Sequence, residues 1–497
     1  MHWTTRVGVL LCGGLPAAAV AGADSGPGGG NGPGHGQPTT IYRDVVIIGG
    51  GASGSYSAVR LREDFNVSVV LVEQDERLGG HVNTFTDPST GRSFDAGVQN
   101  WIDLPGSGVR QFFTRLGVAT QPNVRSVLDQ VYVDFTTGRK LPNYTPPPNN
   151  LRVEALQRYV TAAEQFLPIL EPGWWTFPPP SQIPSDLFLP FRDFVKKYNL
   201  TAGVPGIFAT TGFGMHDMMG GLTLWFMRSF NVNIARVLLG TESSFVPVSR
   251  RNQEIYDNIL TLLGPSDVLL SSTVVSAQRS ASKKGGVTLQ VRNSKTGKTT
   301  KIVAKKILFT PVPSDQNMAP FDLDKEEKKT LSTFDYSASF VGVISHPSLP
   351  LNASILNTPS AAQPANWPAA VPESPYNTRF ENYPNSTYFR VIAVGDQTLT
   401  EKKAKKLITD ALGKMIKAGT LPKTKPAEDA KFHLFMPHGL VSAYASEKAL
   451  KGGFIQKLQS LQGPKNTWYT GASWGVHLTT NLWVFTDTVL PKLVASL

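Results

Sequence analysis

Asp44-Val-Val-Ile-Ile-Gly-Gly-Gly-Ala-Ser-Gly54, followed after a helical stretch by Val67-Ser-Val-Val-Leu-Val-Glu73, decides the fold of this 497-residue chain. A continuous apolar run of this kind marks a strand buried on both faces. Ser55 to Arg62 has helical character, and Val67 to Glu73 repeats the buried-strand pattern. Together they make one βαβ unit of about 30 residues, a connection that is right-handed almost without exception. Gly49-x-Gly51-x-x-Gly54 occupies its first turn. Gly49 permits the tight turn, Gly51 lets the backbone approach a pyrophosphate, and Gly54 lets the helix pack closely on the sheet. The helix N-terminus adds free N–H groups and the positive end of a dipole. Glu73 lies 22 residues beyond Gly51, where a carboxylate accepts hydrogen bonds from a ribose hydroxyl. Strand, turn, helix, strand and acid in this order favour dinucleotide binding over a glycine-rich structural turn.

Composition sets the outer bounds. With 41% hydrophobic and 17% charged residues, the chain is too apolar to be disordered and too long for one ordinary core. Two packed domains, or one domain carrying an inserted lobe, is the expectation. The formal net charge is +11, and the densest basic run is Lys402, Lys403, Lys405 and Lys406 on a predicted helix. No aromatic residues interleave with it, so it reads as a solvated face and not as a nucleic-acid groove.

The first residues look like a secretory signal. Met1 to Arg6 carry one positive charge, Val7 to Val20 are apolar, and Ala19-Val-Ala21 or Ala21-Gly-Ala23 offers a cleavage site. The apolar stretch is too short for a bilayer span and contains Gly13, Gly14 and Pro16, so no stable membrane insertion is expected. The sequence thus predicts a secretory-pathway protein, secreted or vesicular. A Gly/Pro linker runs from Gly26 to Pro38, and the sole cysteine, Cys12, falls inside the removable segment. Sequons at Asn66, Asn143, Asn199, Asn352 and Asn385 suit a glycoprotein, although Asn66 abuts a predicted buried strand.

The character alternates along the chain. After a signal segment (1–21) and linker (22–40), nucleotide-binding character occupies 41–103, 231–321 and 431–497. The segment 104–230 reads as a mainly helical lobe, with helices at Val153 to Phe166 and Asp186 to Tyr198. The segment 322–430 supplies that lobe's sheet, including a strand at Ala338 to Ile344. Further predicted elements are a helix at Glu254 to Leu263 and strands at Asp267 to Ser276, Gly286 to Val291, Lys301 to Phe309 and Trp468 to Thr470. A final helix starts near Thr480.

Motifs spread along the chain narrow the dinucleotide. Glu76-Arg-Leu-Gly-Gly-His-Val-Asn-Thr84 follows the acid directly, and Phe94-Asp-Ala-Gly97 comes soon after. Arg77, Gly79, Gly80 and Thr84 match the Arg-x-Gly-Gly-Arg-x-x-Ser/Thr motif of the FAD-dependent amine oxidase superfamily, which the sequence resembles. Asp95-x-Gly97 resembles that family's following loop, and Ser272-Thr-Val-Val275 the strand whose backbone contacts adenine. Ile307-Leu-Phe-Thr-Pro311 resembles the re-entry into the sheet, and Asn466-Thr-Trp-Tyr-Thr-Gly-Ala472 the closing motif beside the flavin ring. The resemblance implies an α/β fold: a Rossmann-like FAD-binding domain in discontinuous segments, with an inserted α+β substrate-binding lobe. It implies FAD held by Gly49, Gly51, Gly54, Glu73, Arg77, Gly79, Gly80, His81, Gly97, Val275, Gly471, Ala472 and Trp474.

The signal segment and the Gly-Gly-His variant make the sequence most similar to the fungal β-cyclopiazonate dehydrogenase family, whose members oxidise a prenylated indole tetramic acid and close a ring. That resemblance implies an oxidoreductase taking a hydride from an apolar, nitrogen-containing small molecule of the indole or alkaloid type to flavin N5. Oxidative cyclisation in secondary metabolism and reoxidation by dioxygen would accompany it. An amine or thioether oxidase producing hydrogen peroxide, or a flavin-binding protein without turnover, are the alternatives.

Departures from the pattern matter. His81 replaces the second arginine, and two readings stand: a hydrogen-bonded histidine in the cofactor groove, or a covalent attachment point for flavin. The predicted strand Tyr336 to Val343 lacks the lysine that amine oxidases place near flavin N5. Gly471-Ala-Ser-Trp-Gly475 formally matches a hydrolase nucleophile elbow, but the one later acid, Asp487, follows His477, which is the wrong order. The helix starting near Thr480 would instead point its N-terminus at flavin N1 and C2, with Trp474 and His477 beside the ring. His216-Asp217, ahead of Trp225 and Phe226, reads either as an acid/base pair in an apolar pocket or as part of a packed aromatic stripe. His216, Asp217 and His477 are the candidate catalytic residues. No metal site is expected, since the eight histidines include no His-x-x-x-His pair and no cysteine partner.

Overall fold

Residues 39–124, 126–212, 215–282, 284–424, 426 and 428–497 are described by a computed structural model. The signal segment and most of the linker lie outside these residues. The first strand, Thr39–Ile48, buries its last four residues. Val45 sits parallel to Val69 of the strand Val69–Val72 on one side and to Lys306 of the strand Thr299–Phe309 on the other. Val268–Leu269 extends the sheet beyond Val69–Val72, and Thr467–Tyr469 joins the end of Thr299–Phe309, both in parallel. Five parallel strands therefore end near the glycine turn. Val287–Asn293 and Ser272–Arg279 continue the sheet antiparallel. The predicted strand Asp267 to Ser276 is thus two strands, separated at Ser271, whose φ of 50° turns the chain.

The helix after the turn, Ala52–Val59, is made of small residues apart from Tyr56 and Val59 and lies almost wholly buried. It packs against the C-terminal helix Thr479–Val494. Tyr56 stacks on Trp483 with ring centroids 4.8 Å apart, and the Trp483 indole donates to the Ala52 carbonyl at 3.1 Å. The first and last helices of the described residues are thereby fixed to one another beside the turn.

A second sheet runs in the order Lys431–Tyr444, Asp335–Ser345, Phe389–Asp396, Tyr376–Asn382, Ala353–Asn357, Asp129–Asp134, Arg139–Lys140. The helix Glu401–Lys417, capped by the Thr400 hydroxyl, buries Ala404, Ile408, Ala411, Leu412 and Met415 against one face. Its lysines stay in solvent, Lys405 and Lys406 pairing with Glu401 and Asp410 on the same helix. Residues 39–497 form one compact unit around both sheets.

Three boundaries differ from the sequence reading. Lys431–Tyr444 was expected in the third nucleotide-binding segment, yet it is the edge strand of the second sheet. Asp129–Asp134 and Arg139–Lys140, in the segment expected to be mainly helical, also join that sheet. These partners are set by pairings across hundreds of residues, to which local pattern is blind. The predicted helix Asp186 to Tyr198 is a 3-10 turn, Ser185–Phe188, and a helix, Phe191–Lys197, because Pro190 biases the residue before it away from helical geometry.

Candidate active site and cofactor groove

The glycine turn allows no side chain at its critical points. Gly49 has φ 91°, and a Cβ on Gly54 would sit 1.8 Å from the Gly49 carbonyl oxygen. The Thr310 hydroxyl, donating to the Ile48 carbonyl at 2.9 Å, ties the turn to the end of Thr299–Phe309. At Gly51 the backbone is open, and the nearest group to a Cβ there would be the Gly80 Cα at 3.9 Å. The two Gly-rich loops therefore present bare backbone to the same gap. The Ser53 hydroxyl, in the first turn of the helix, is buried without a hydrogen-bond partner. Glu73 is buried at the strand end and accepts from the Gly50 and Asp75 amides at 2.5 and 2.7 Å. Burial pushes its pKa up, which those two bonds oppose. This chemistry fits a dinucleotide: an amide-lined gap and an unpartnered hydroxyl for the pyrophosphate, and an anchored carboxylate for a ribose.

A strap from Arg77 to Gly97 closes the groove. Arg77 donates to the Leu78 and Gly80 carbonyls, to Gln253 and to the Asn83 side-chain oxygen, so most of its fork holds the strap's own shape. Thr84–Thr86 pairs with Ser93–Asp95. Asp95 accepts from the Thr84 hydroxyl and the Asn252 amide, and burial pushes its pKa up to about 7. A Cβ on Gly97 would lie 1.9 Å from the His81 carbonyl oxygen, so glycine is required where the strap crosses itself.

Within this strap His81 sits in a cluster of imidazoles. Its ring stacks on His438 at 4.4 Å and meets the edge of His477 at 6.1 Å. His81 Nε2 donates to the His438 backbone carbonyl at 2.8 Å. A carbonyl only accepts, so Nε2 carries the proton and Nδ1 keeps its lone pair. Because Arg77 fixes the Asn83 oxygen, the Asn83 amide nitrogen faces His438 Nε2 at 3.2 Å, placing the His438 proton on Nδ1. His477 Nδ1 faces the Ser442 hydroxyl at 3.4 Å. Burial depresses the pKa of all three, His438 to well below its ordinary value and His477 to about 3, the latter helped by the charges of His81 and Arg228. The cluster is neutral at ordinary pH.

The closing loop meets the first turn through Thr310. Gly471 has φ 102°, and a Cβ there would lie 2.4 Å from the Thr310 carbonyl oxygen. Trp474 is buried and stacks on Tyr469 at 4.7 Å, so its ring belongs to the core. The Ser473 hydroxyl is buried without a partner, as a group awaiting a polyol hydroxyl would be. It meets no histidine, His477 being turned to Ser442, and the nucleophile-elbow pattern has no triad geometry behind it.

Most of the residues named from sequence for the cofactor thus converge on this groove. Val275 is the skipped residue of a β-bulge, half-exposed between Val274 and Ser276, on the strand whose first residue, Ser272, donates its amide to the Glu73 carbonyl. His216 and Asp217 do not reach the cluster. His216 Nδ1 meets the Ser337 hydroxyl at 3.0 Å, at the Tyr444 end of the sheet. Asp217 is exposed and accepts from the Gly220 amide at 2.8 Å, making it a turn residue. Sequence reading missed His438. Its register explains both the miss and its aim: Ser339 pairs with Gly439 and Phe340 with Pro437, leaving His438 as the extra residue of a bulge. The available signal was Pro437 and Gly439, with φ 66° at the glycine, inside a strand-like run. Arg228 and Asn83 were also missed.

The groove, its unpartnered hydroxyls and the histidine cluster at its end define a flavin-binding oxidoreductase with a Rossmann-like domain, and the comparisons agree. A profile described as an NAD(P)-binding Rossmann-like domain matches residues 47–116. The chain is 34% identical to the FAD-dependent oxidoreductase pigF of Monascus ruber over 92% of its own length and 93% of the relative's. It is 32% identical to the beta-cyclopiazonate dehydrogenase of Aspergillus flavus over 92% and 94%. The FAD-dependent oxidoreductase oblC of Cochliobolus heterostrophus is 33% identical over 99% of both chains. Among solved structures, a fatty acid isomerase from P. acnes superposes with a TM-score of 0.67 over 90% of this chain and 98% of its own, at 14% identity. A putrescine oxidase gives 0.60 over 92% and 100%, at 15% identity. The chain belongs to the family of fungal FAD-dependent oxidoreductases that includes beta-cyclopiazonate dehydrogenase.

Proposed function

We propose that this FAD-dependent oxidoreductase oxidises an apolar, nitrogen-bearing small molecule of the indole or alkaloid type. The observation that carries the reading is the neutral histidine cluster set in an apolar wall. On the strand bearing His438, Leu434, Met436, Leu440 and Tyr444 are half-buried on the side of the larger core. Phe85 and Tyr388, 5.0 Å apart, are half-buried on the strap side. Such a wall desolvates a flat aromatic substrate, and neutral imidazoles do not repel a positive charge forming on it.

Bound FAD supplies a two-electron acceptor for a hydride. A C–H bond next to nitrogen breaks, its electron pair leaves with the hydrogen, and the substrate keeps a cation delocalised onto nitrogen. The apolar wall excludes water from that cation. A ring closes when an internal carbon nucleophile attacks and a proton leaves; burial pushes the His477 pKa down to about 3, so that imidazole is too weak a base to hold the proton and serves as a neutral hydrogen-bonding group. Dioxygen is the proposed acceptor for the return half-reaction, taking two electrons and two protons to give hydrogen peroxide. The second reading of His81 is also supported: with Nε2 committed to the His438 carbonyl, Nδ1 is the lone pair left for a flavin carbon.

An anaerobic screen of indole alkaloids and amines, read by flavin absorbance, tests the substrate class. Bleaching by simple alkylamines alone would overturn it. Flavin that stays with acid-precipitated wild type and is lost in His81→Ala supports the tether, and complete release by acid refutes it. A secretory route is likewise proposed, supported by the exposure of all five sequon asparagines, Asn66 included. A mobility shift on enzymatic deglycosylation of protein from the native host is the expected result.

A further inference from the structure

Arg228, on the helix Thr223–Ser229, is a buried cation without an anion. It is 4% exposed, and no carboxylate lies within ion-pair distance among the described residues. Its Nη2 donates to the Ala472 and Gly475 carbonyls of the closing loop. The guanidinium lies 4.5 Å from the Trp174 ring and 5.5 Å from Trp225. Both indoles are anchored, Trp174 donating to the Ser473 carbonyl at 3.3 Å and Trp225 to the Ala445 carbonyl at 2.8 Å. The Arg228 carbonyl in turn accepts from the His477 amide at 3.1 Å. No described protein group accepts from Nη1 or Nε.

A guanidinium taken out of water without a counter-charge costs several kcal/mol. Two carbonyls and two aromatic faces offset part of this, and no negative group among the described residues pairs with it to offset the rest. Burial lowers the pKa to about 9, which still leaves the side chain protonated at neutral pH. A second positive element stands next to it. Beyond His477, the helix Thr479–Val494 begins at Leu478 with no side-chain cap and no acid in its first turn. Both are attached to the loop that Gly471 holds against Thr310 and hence against the glycine turn.

We infer that Arg228 is a positioning residue for flavin: it holds the closing loop in shape and supplies a fixed positive charge that favours the reduced, negatively charged cofactor. The inference rests on FAD occupying the groove. The charge that the protein leaves uncompensated is matched when two electrons arrive on the ring, and burial favours the neutral form of the three histidines beside it. Arg228 moves no proton and forms no bond to substrate.

The test uses flavin-loaded enzyme with no substrate. Arg228→Met and Arg228→Lys are compared with wild type for midpoint potential and for affinity toward sulfite, which adds to electron-poor flavins. The expected result for Arg228→Met is at least a tenfold shift toward oxidised flavin at fixed poise, about 30 mV for a two-electron couple, with sulfite affinity at least tenfold weaker. Arg228→Lys, which keeps the charge and loses the fork, should stay within about threefold of wild type. A flavin-loaded Arg228→Met with unchanged potential and sulfite affinity overturns the inference, leaving a loop strut. If Arg228→Met fails to fold, a tenfold loss in Arg228→Lys overturns it equally, because charge would then not be the agent. A wild-type chain that holds no flavin would instead refute the functional reading, so the two failures are distinct.

Discussion

Asp95→Asn is predicted to remove a loss of stability that the wild-type apoprotein suffers between pH 5 and 8. Asp95 accepts from Thr84 and from the Asn252 amide, and it braces the strap whose next crossing is Gly97 over His81. Burial is the largest influence on its carboxyl and raises the pKa from 3.8 to about 7, against those hydrogen bonds and the charges of Arg251 and Arg390. Between those two values the folded chain holds a proton that the unfolded chain has released. Stability therefore falls as pH rises through this window, and the whole penalty is present above pH 7. At about 1.4 kcal/mol per pH unit the full displacement is about 4 kcal/mol, and the part lying between pH 5 and 8 is about 2.5 kcal/mol. Asparagine keeps an acceptor for Thr84 and the Asn252 amide and does not titrate. Urea unfolding of wild type and variant at pH 5, 6, 7 and 8 measures the difference directly, since every other titrating group is common to both. Parallel stability profiles would show that Asp95 is ionised throughout and that the strap is wetter than this packing implies.

Three further outcomes follow from single contacts. Gly97→Ala should lose about 1–3 kcal/mol by overpacking and most of its flavin content, because its Cβ would meet the His81 carbonyl at 1.9 Å. The control Gly413→Ala, exposed on the helix Glu401–Lys417 with nothing near its Cβ, should gain about 0.5–1 kcal/mol and keep full flavin. Arg279→Met should cost about 3 kcal/mol in thermal or urea unfolding, since Arg279 is fully buried and grips both oxygens of Glu327 at 2.8 and 2.9 Å. Arg279→Lys should recover less than half of that, the fork being lost. In acid the histidine cluster works against the fold: His477 stays neutral down to about 3 when folded but titrates near 6.5 when unfolded. Unfolding therefore binds protons below about pH 6.5, and His477→Gln should flatten the decline of the wild-type midpoint from pH 6 to pH 4.

What was legible in the sequence is what the backbone dictates locally. Gly49, Gly54, Gly79, Gly97 and Gly471 were readable because each sits where a Cβ has no room or where φ lies between 91° and 110° in the turns, and such requirements leave glycine in the sequence. Glu73 was readable for a similar reason: the end of a buried strand is a place for a carboxylate only if amides or a ligand receive it. The fold class followed from these points, because one βαβ unit with its fingerprint fixes the parallel sheet around it. His216 and Asp217 were named together because they are adjacent in sequence, whereas the structure sets them apart from the histidine cluster, His216 bonding the buried Ser337 hydroxyl of the second sheet and Asp217 facing solvent in its own turn.

His438 shows why the rest was hidden. Its place beside His81 depends on the pairing of Lys431–Tyr444 with Asp335–Ser345, and then on a one-residue slip at Pro437 and Gly439 within that pairing. Without the slip, alternation along the strand would have set the imidazole by a different register, and the tautomer chain from Arg77 through Asn83 would have had no terminus. Val275 obeys the same logic on the strand that Ser272 opens, where a bulge takes one residue out of the ladder. His438 and Val275 are therefore both residues that break a regular strand. Such residues carry no periodic signal, so the features that most narrow the chemistry are the ones that propensity and pattern are least able to find.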